Sequence, residues 1–84
     1  MKTIYKYQLN DYVLMPKGAK PLHVNHQGGD FVWALVDNSQ PMVTHRFNVV
    51  GTGWDLTYVN GEYLGTLHEP NGMVWHAFYN GETT

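Results

Sequence analysis

Turn-forming residues interrupt this chain about every 8–12 residues, a rhythm typical of small all-β domains. The stretches between them are short and rich in β-branched and aromatic residues, and none shows a convincing helical period. The clearest interruptions are Gly28-Gly29, Asn38 to Pro41, Gly51-Thr52-Gly53, Asn60-Gly61 and Asn71-Gly72. We therefore predict an all-β fold, a small antiparallel barrel or sandwich of six to seven short strands.

The segment KPLHVNHQGGDFVWALVDN has the pattern of a β-hairpin. Gly28-Gly29 suits a two-residue turn, since glycine adopts positive φ without steric cost. That turn would pair Val24 with Trp33 and place an aromatic, apolar face against the core. Residues 31–36 are apolar throughout, so we expect a central strand covered on both faces.

Two Asn-Gly pairs predict further hairpins, because this dipeptide favours type I′ turns. A two-residue turn at Asn71-Gly72 would place Gly65 opposite Phe78. Upstream, the segment around Pro16 should be an edge strand or an extended connection, because proline cannot donate to a sheet ladder. Residues 1–84 are expected to form one domain, with residues 79–84 as a frayed tail.

The composition narrows the function classes. The chain is 43% hydrophobic and 14% aromatic and has no cysteine, which excludes disulfides and thiolate metal sites. Its net charge of −2 argues against nucleic-acid binding. Residues 1–20 carry four lysines and one aspartate, whereas the remainder is acidic; this is either chance spacing or an acidic face for a basic partner. No apolar run is long enough for a membrane span or a secretion signal, so a cytoplasmic protein is expected.

The glycines of FNVVGTGWDL raise the possibility of a phosphate loop. A dinucleotide fingerprint would need a third glycine where Leu56 stands, and a Walker loop would need Gly-Lys at Leu56-Thr57. Both motifs also require a following helix, which we do not predict. A turn or bulge at Gly51-Thr52-Gly53 is the favoured interpretation, with a ligand loop as the alternative.

Five histidines suggest a metal site, but their spacing does not support one. His23 and His26 fall on opposite faces of a strand, and no carboxylate is locally placed to orient the rings. No metal or other cofactor is therefore predicted, with a metal site assembled by the fold from distant histidines as the minor alternative. The only serine, Ser39, lies in a turn. The carboxylates are scattered in sequence without a close pair for acid–base work, although the fold could bring Asp55 and Glu62 together. We predict no catalytic residues.

Aromatic residues are the most informative group for function. Trp33 and Trp75 are assigned to core strands, whereas Trp54 comes directly after a glycine turn and could be an exposed anchor. Four tyrosines, Tyr5, Tyr7, Tyr58 and Tyr63, could form a second binding surface. The predicted binding residues are Gly51, Thr52, Gly53, Trp54, Asp55, Tyr58 and Tyr63.

The segments IYKYQL, MPKGAKPLHV, FVWALVD, FNVVGTG, YLGTL and MVWHAFY occur in this order. Together they resemble a family of small uncharacterised proteins of bacteriophages and prophages, a domain of unknown function. The resemblance spans nearly the whole chain and departs after Gly53, where a longer Pro/Asp-rich segment would be expected. It implies an accessory protein of the bacterial cytoplasm and brings no catalytic residues.

The expected function is that of an interaction module, which binds a host or phage protein and could inhibit it. The alternative is a small-ligand or nucleotide-sequestering protein with a pocket beside Gly51-Thr52-Gly53. A small enzyme is the third hypothesis. A homodimer is compatible with so small a domain.

Overall fold

The computed structural model describes residues 1–83 as two antiparallel β-sheets packed in a sandwich. The sheets do not close into a barrel, so the sandwich alternative of the predicted all-β class is the correct one. None of residues 1–83 is helical, and this part of the chain therefore contains no membrane-spanning helix. The strands are β1 (Lys2–Gln8), β2 (Tyr12–Pro16), β3 (Lys20–His26), β4 (Asp30–Asp37), β5 (Met42–Gly51), β6 (Glu62–His68) and β7 (Val74–Glu82).

The strand order is β1-β4-β3 in one sheet and β2-β5-β7-β6 in the other. β2 is an edge strand, as the proline at its end predicts. β4 is central in the three-stranded sheet, and β5 and β7 are central in the four-stranded sheet. The two sheets also meet where β3 contacts β6.

The space between the sheets is filled mainly by small or medium side chains. The sheets approach closely where the edge strands β3 and β6 meet, because a Cβ at Gly65 would lie only 3.1 Å from Cγ2 of Val24 on the opposite sheet. A bulky side chain does not fit at that contact. The fully buried larger side chains include Phe47, Met15 and Leu67.

The first hairpin differs from its predicted register by one residue. Its loop has three residues, so His26 faces Asp30 and Val24 faces Val32. A one-residue slip reverses which side chains point inward. Val32 is accordingly buried, whereas Trp33 points away from the core, where its ring lies 5.9 Å from that of His23. The prediction that Trp33 is a core residue was wrong.

The alternating burial of β4 also corrects the expectation that it is covered on both faces. Val32, Ala34 and Val36 are buried, but Leu35 between them is exposed. The outer face of this sheet carries Phe31, over whose ring the Lys6 ammonium lies at 4.1 Å. β4 is thus an ordinary one-sided strand of an antiparallel sheet.

The Asn71-Gly72 hairpin exists, but with a longer loop than predicted. The amide of Gly72 donates to the carbonyl of Glu69, and Gly72 has φ 87°, as expected of a type I turn followed by a left-handed glycine. Gly65 consequently faces Ala77, not Phe78.

The predicted hairpin at Asn60-Gly61 is absent, because the strands on either side of it do not pair with each other. β5 and β6 both pair with β7, which lies between them. Gly61 instead packs against β7, where a Cβ would collide with the carbonyl of Tyr79 and the side chain of Asn80. Its role is close backbone approach rather than a tight turn.

Residues 79–82 belong to strand β7, whereas a frayed tail was predicted for residues 79–84. β7 continues to Glu82, and the amide of Thr83 donates to the carbonyl of Thr44 at 2.9 Å. The carboxylate of Glu82 also accepts a hydrogen bond from the amide of Gly18. Residue 84 lies outside the described residues.

His45 is a fully buried polar residue, and it is held by hydrogen bonds to two other strands. Its Nδ1 lies 2.7 Å from the hydroxyl of Tyr79, and its Nε2 lies 3.2 Å from the carbonyl oxygen of Pro16. Since the carbonyl can only accept, Nε2 donates to it, and in the Nε2–H tautomer Nδ1 accepts from the hydroxyl of Tyr79. This histidine ties β2 and β7 to β5.

Candidate functional site

The outer face of the four-stranded sheet carries a groove of about 450 Å³. Its floor comes from two rows of facing residues, because paired residues of adjacent antiparallel strands share a face. Val50 and His76 face each other in one row, and Phe78 and Tyr63 face each other in the next. These side chains point away from the core. Ala77, which lies between two of them on β7, is buried and points into the core.

One wall of the groove is the loop of residues 52–61. It begins with a turn in which the amide of Trp54 donates to the carbonyl of Gly51 at 3.2 Å, and Gly53 adopts φ 86°. Glycine suits position 53 because other residues rarely adopt that φ. Gly51-Thr52-Gly53 is therefore a turn at the end of a strand, without the helix that a phosphate loop requires.

Trp54 is 58% exposed, and only one side of its indole packs against the rest of the protein. Its indole lies edge-on to Trp75, with ring centroids 5.5 Å apart. It also covers Gly51, where a Cβ would lie 2.7 Å from the indole Nε1. Glycine at position 51 thus allows the indole to rest on the backbone while its remaining surface stays available.

His76 supplies an imidazole to the groove, and both of its nitrogens are engaged. Nε2 lies 2.8 Å from the Thr52 hydroxyl, and Nδ1 lies 3.2 Å from the Thr66 hydroxyl. Thr66 in turn pairs with the hydroxyl of Tyr63. Thr52 Oγ1 also donates to the carbonyl of Val74 at 3.3 Å. This chain of hydrogen bonds fixes the imidazole within an otherwise largely apolar groove.

Of the seven predicted binding residues, five line the groove: Gly51, Thr52, Gly53, Trp54 and Tyr63. The other two lie outside it. Asp55 shapes the loop, since its carboxylate accepts from the Thr57 hydroxyl at 2.5 Å and the Thr57 amide at 2.9 Å. These bonds lower the pKa of Asp55. Tyr58 is 91% exposed at the tip of the loop.

Sequence reasoning missed four groove residues: Val50, Leu56, His76 and Phe78. The alternation of inward and outward side chains along β7 could have identified His76 and Phe78, because these two share the outer face whenever Ala77 points inward. Tyr5 and Tyr7, proposed to join the tyrosines of the site, contact each other on β1 of the other sheet instead.

The uneven distribution of lysines has a structural counterpart. Lys2, Lys17 and Lys20 line a second groove, also of about 450 Å³, together with Asp37. All three lysines are exposed. The pKa of Asp37 is lowered to about 2 by hydrogen bonds from the Ser39 hydroxyl and amide and by the terminal ammonium.

The histidine predictions had mixed outcomes. His23 points outward beside Trp33 and His26 points to the opposite face, as their spacing predicts. The expectation that no carboxylate lies beside a histidine was wrong. His26 Nδ1 is 2.8 Å from a carboxylate oxygen of Asp30, because the three-residue loop places the two side chains opposite each other.

Comparison with known proteins places the chain in a family without assigning it an activity. No curated protein and no solved structure matches it. The model of a domain of unknown function, DUF7352, matches residues 1–84, the full length of the sequence. The chain therefore belongs to the DUF7352 family.

Proposed function

We propose that this protein is an interaction module that binds a protein partner through the groove and its rim loop, residues 52–61. In this proposal it is a phage-encoded accessory protein that acts in the bacterial cytoplasm on a host or phage protein, with inhibition of that protein as one outcome of binding. The phage origin rests on the sequence resemblance, whereas the binding surface rests on geometry.

The observation that carries the proposal is the exposure of Trp54 beside an apolar groove. Tryptophan and tyrosine dominate interface hot spots because they bury a large area at a small cost in side-chain entropy. Trp54 stands on the rim, Tyr58 extends from the same loop, and Tyr63 lies in the groove. A partner side chain that enters the groove would contact Phe78, and Trp54 would pack over that partner side chain.

Binding explains the groove better than catalysis does. Both nitrogens of His76 are engaged by threonine hydroxyls, so the ring would have to break a hydrogen bond before acting as a base. The carboxylate predicted at the site, Asp55, is turned into its own loop by Thr57. A small enzyme stays the third hypothesis.

The test is an affinity pull-down from bacterial lysate with three baits: the wild type, Trp54→Ala and Tyr12→Ala. Tyr12 is a matched control, because it is an exposed aromatic on edge strand β2 outside the groove. We expect one stoichiometric protein with the wild type and Tyr12→Ala, and its loss with Trp54→Ala. Equal recovery with all three baits would contradict binding through the rim loop.

The second candidate function is that of a small-ligand or nucleotide-sequestering protein. Two observations favour it: the groove has the volume of a small-molecule site, and His76 is held in a fixed position within it. A ring held between Thr52 and Thr66 offers a defined polar contact among apolar walls. Native mass spectrometry of protein purified from bacteria distinguishes a bound small ligand from a protein partner. A discrete bound mass that disappears in Phe78→Ala would favour this candidate over the protein partner.

A further inference from the structure

Three metal-ligating side chains converge at a point away from the groove. His26 ends β3, Asp30 begins β4, and Glu69 comes directly after β6. One donor atom from each residue lies within 4.8 Å of the other two. All three residues are partly buried, so they are more confined than freely solvated surface groups.

The fold brings these residues together through two separate hairpins. The three-residue loop 27–29 sets His26 opposite Asp30. Contact between β3 and β6 then brings the second hairpin alongside, where the amide of Glu69 donates to the carbonyl of Met73 at 2.9 Å. The positions of all three ligands are therefore set by paired backbone.

The charges at this point favour a divalent cation. The two carboxylates are brought close together, and among residues 1–83 neither forms an ion pair with a lysine or arginine. The charge partner of Asp30 is His26, and that pair is an ion pair only when the imidazole is protonated. Binding a divalent ion would neutralise both carboxylates and use the imidazole in its neutral form.

The donor types indicate which cation. One imidazole nitrogen and two carboxylate oxygens suit Zn²⁺, whereas Mg²⁺ and Ca²⁺ prefer oxygen donors alone. A tetrahedral zinc with bonds of about 2.0–2.2 Å needs its donors about 3.3 Å apart. The 2.8 Å between His26 Nδ1 and Asp30 Oδ1 would lengthen by about 0.5 Å. The donor atom of Glu69, which lies within 4.8 Å of the other two, would move closer by at most about 1.5 Å, within reach of side-chain rotation.

We propose that His26, Asp30 and Glu69 form a zinc site that joins the 26–30 and 69–73 hairpins. Three protein ligands leave the fourth tetrahedral position to water. The site is separate from the groove and does not depend on the proposed partner. Its effect would be to fasten the β3–β4 hairpin of one sheet to the β6–β7 hairpin of the other.

The experiment titrates ZnCl₂ into tag-free protein, previously treated with EDTA, by isothermal calorimetry. We expect one zinc per chain for the wild type and at least a tenfold loss of affinity for Glu69→Gln and Asp30→Asn. His23→Ala is the matched control, since His23 points to the opposite face, and it should bind like the wild type. MgCl₂ should bind at least tenfold more weakly than ZnCl₂.

Two further measurements ensure that the conclusion does not depend on one variant that fails to fold. Far-UV circular dichroism must show the same sheet content for every variant, and hydrogen exchange should slow in both hairpins when zinc is added. The proposal is overturned if the wild type takes up no zinc, if Glu69→Gln binds unchanged, or if His23→Ala abolishes binding.

Discussion

Trp54→Ala should lower the free energy of unfolding by about 1–2 kcal/mol. The side chain is 58% exposed, so roughly two fifths of it is covered. A tryptophan buries up to about 250 Å² when enclosed, which gives about 100 Å² here. At about 25 cal/mol per Å² the upper limit is about 2.5 kcal/mol, and the true cost is smaller because the denatured chain also buries some surface.

Urea unfolding followed by far-UV circular dichroism measures this difference, since fluorescence would change with the loss of the indole itself. Trp75→Ala is the comparison, because Trp75 packs against the core cluster and its loss should cost about 3–5 kcal/mol. A loss above about 3 kcal/mol for Trp54→Ala would show that its indole belongs to the core. No measurable loss would show that the contact with Trp75 does not form in solution.

The size of this loss also determines what the pull-down measures. A chain of this size melts about 4–8 °C lower for each kcal/mol lost. Trp54→Ala should therefore remain folded at ambient temperature, so that lost binding reflects the missing indole. The same reasoning does not hold for Trp75→Ala, which is unsuitable as a binding probe.

Three further predictions concern single positions. His45→Ala should cost about 3–5 kcal/mol in urea unfolding, because it opens a cavity and leaves the Tyr79 hydroxyl without its acceptor; Tyr79→Phe should cost less. Asp37 has a pKa of about 2 in the folded protein, below the unfolded value of about 3.9. The stability it adds is therefore present above that unfolded value and lost as pH falls towards the folded one. Asp37→Asn should flatten the dependence of stability on pH in this range, and an unchanged dependence would contradict this. Gly51→Ala should displace the Trp54 indole, since the new Cβ would lie 2.7 Å from Nε1. The exciton band of the coupled Trp54 and Trp75 indoles in circular dichroism should then weaken, and its persistence would contradict the described edge-on contact between them.

Turn residues and alternation were enough to predict the fold class, but not the pairing register. Gly28-Gly29 indicated where the first hairpin turns without fixing how many residues the turn contains. The slip moved Trp33 outward and Val32 inward. The close approach of the sheets at Gly65 and Val24, which faces Val32, favours the smaller side chain on the inner face.

The candidate site was predicted only in part, because the sequence did not determine how the strands pair. Residues close in sequence, such as Gly51 and Trp54, were identified because a glycine turn exposes the residue directly after it. His76 and Phe78 join them only through pairing of β5 with β7, which are separated by a long stretch of chain. Asp30 beside His26 likewise depends on the loop length that sequence did not determine.

The groove has a fixed floor and a replaceable wall. Its floor lies mainly on β5 and β7, the two central strands, with Tyr63 of β6 beside them. Its wall is a loop that leaves the sheet at Gly51 and returns at Gly61. Gly61 is fixed by close packing on the backbone of β7, whereas at Gly51 the loop's own Trp54 covers the backbone. Loops tolerate changes in length and composition better than paired strands do. Exchanging this loop between family members would therefore test whether it determines the specificity of the proposed binding surface.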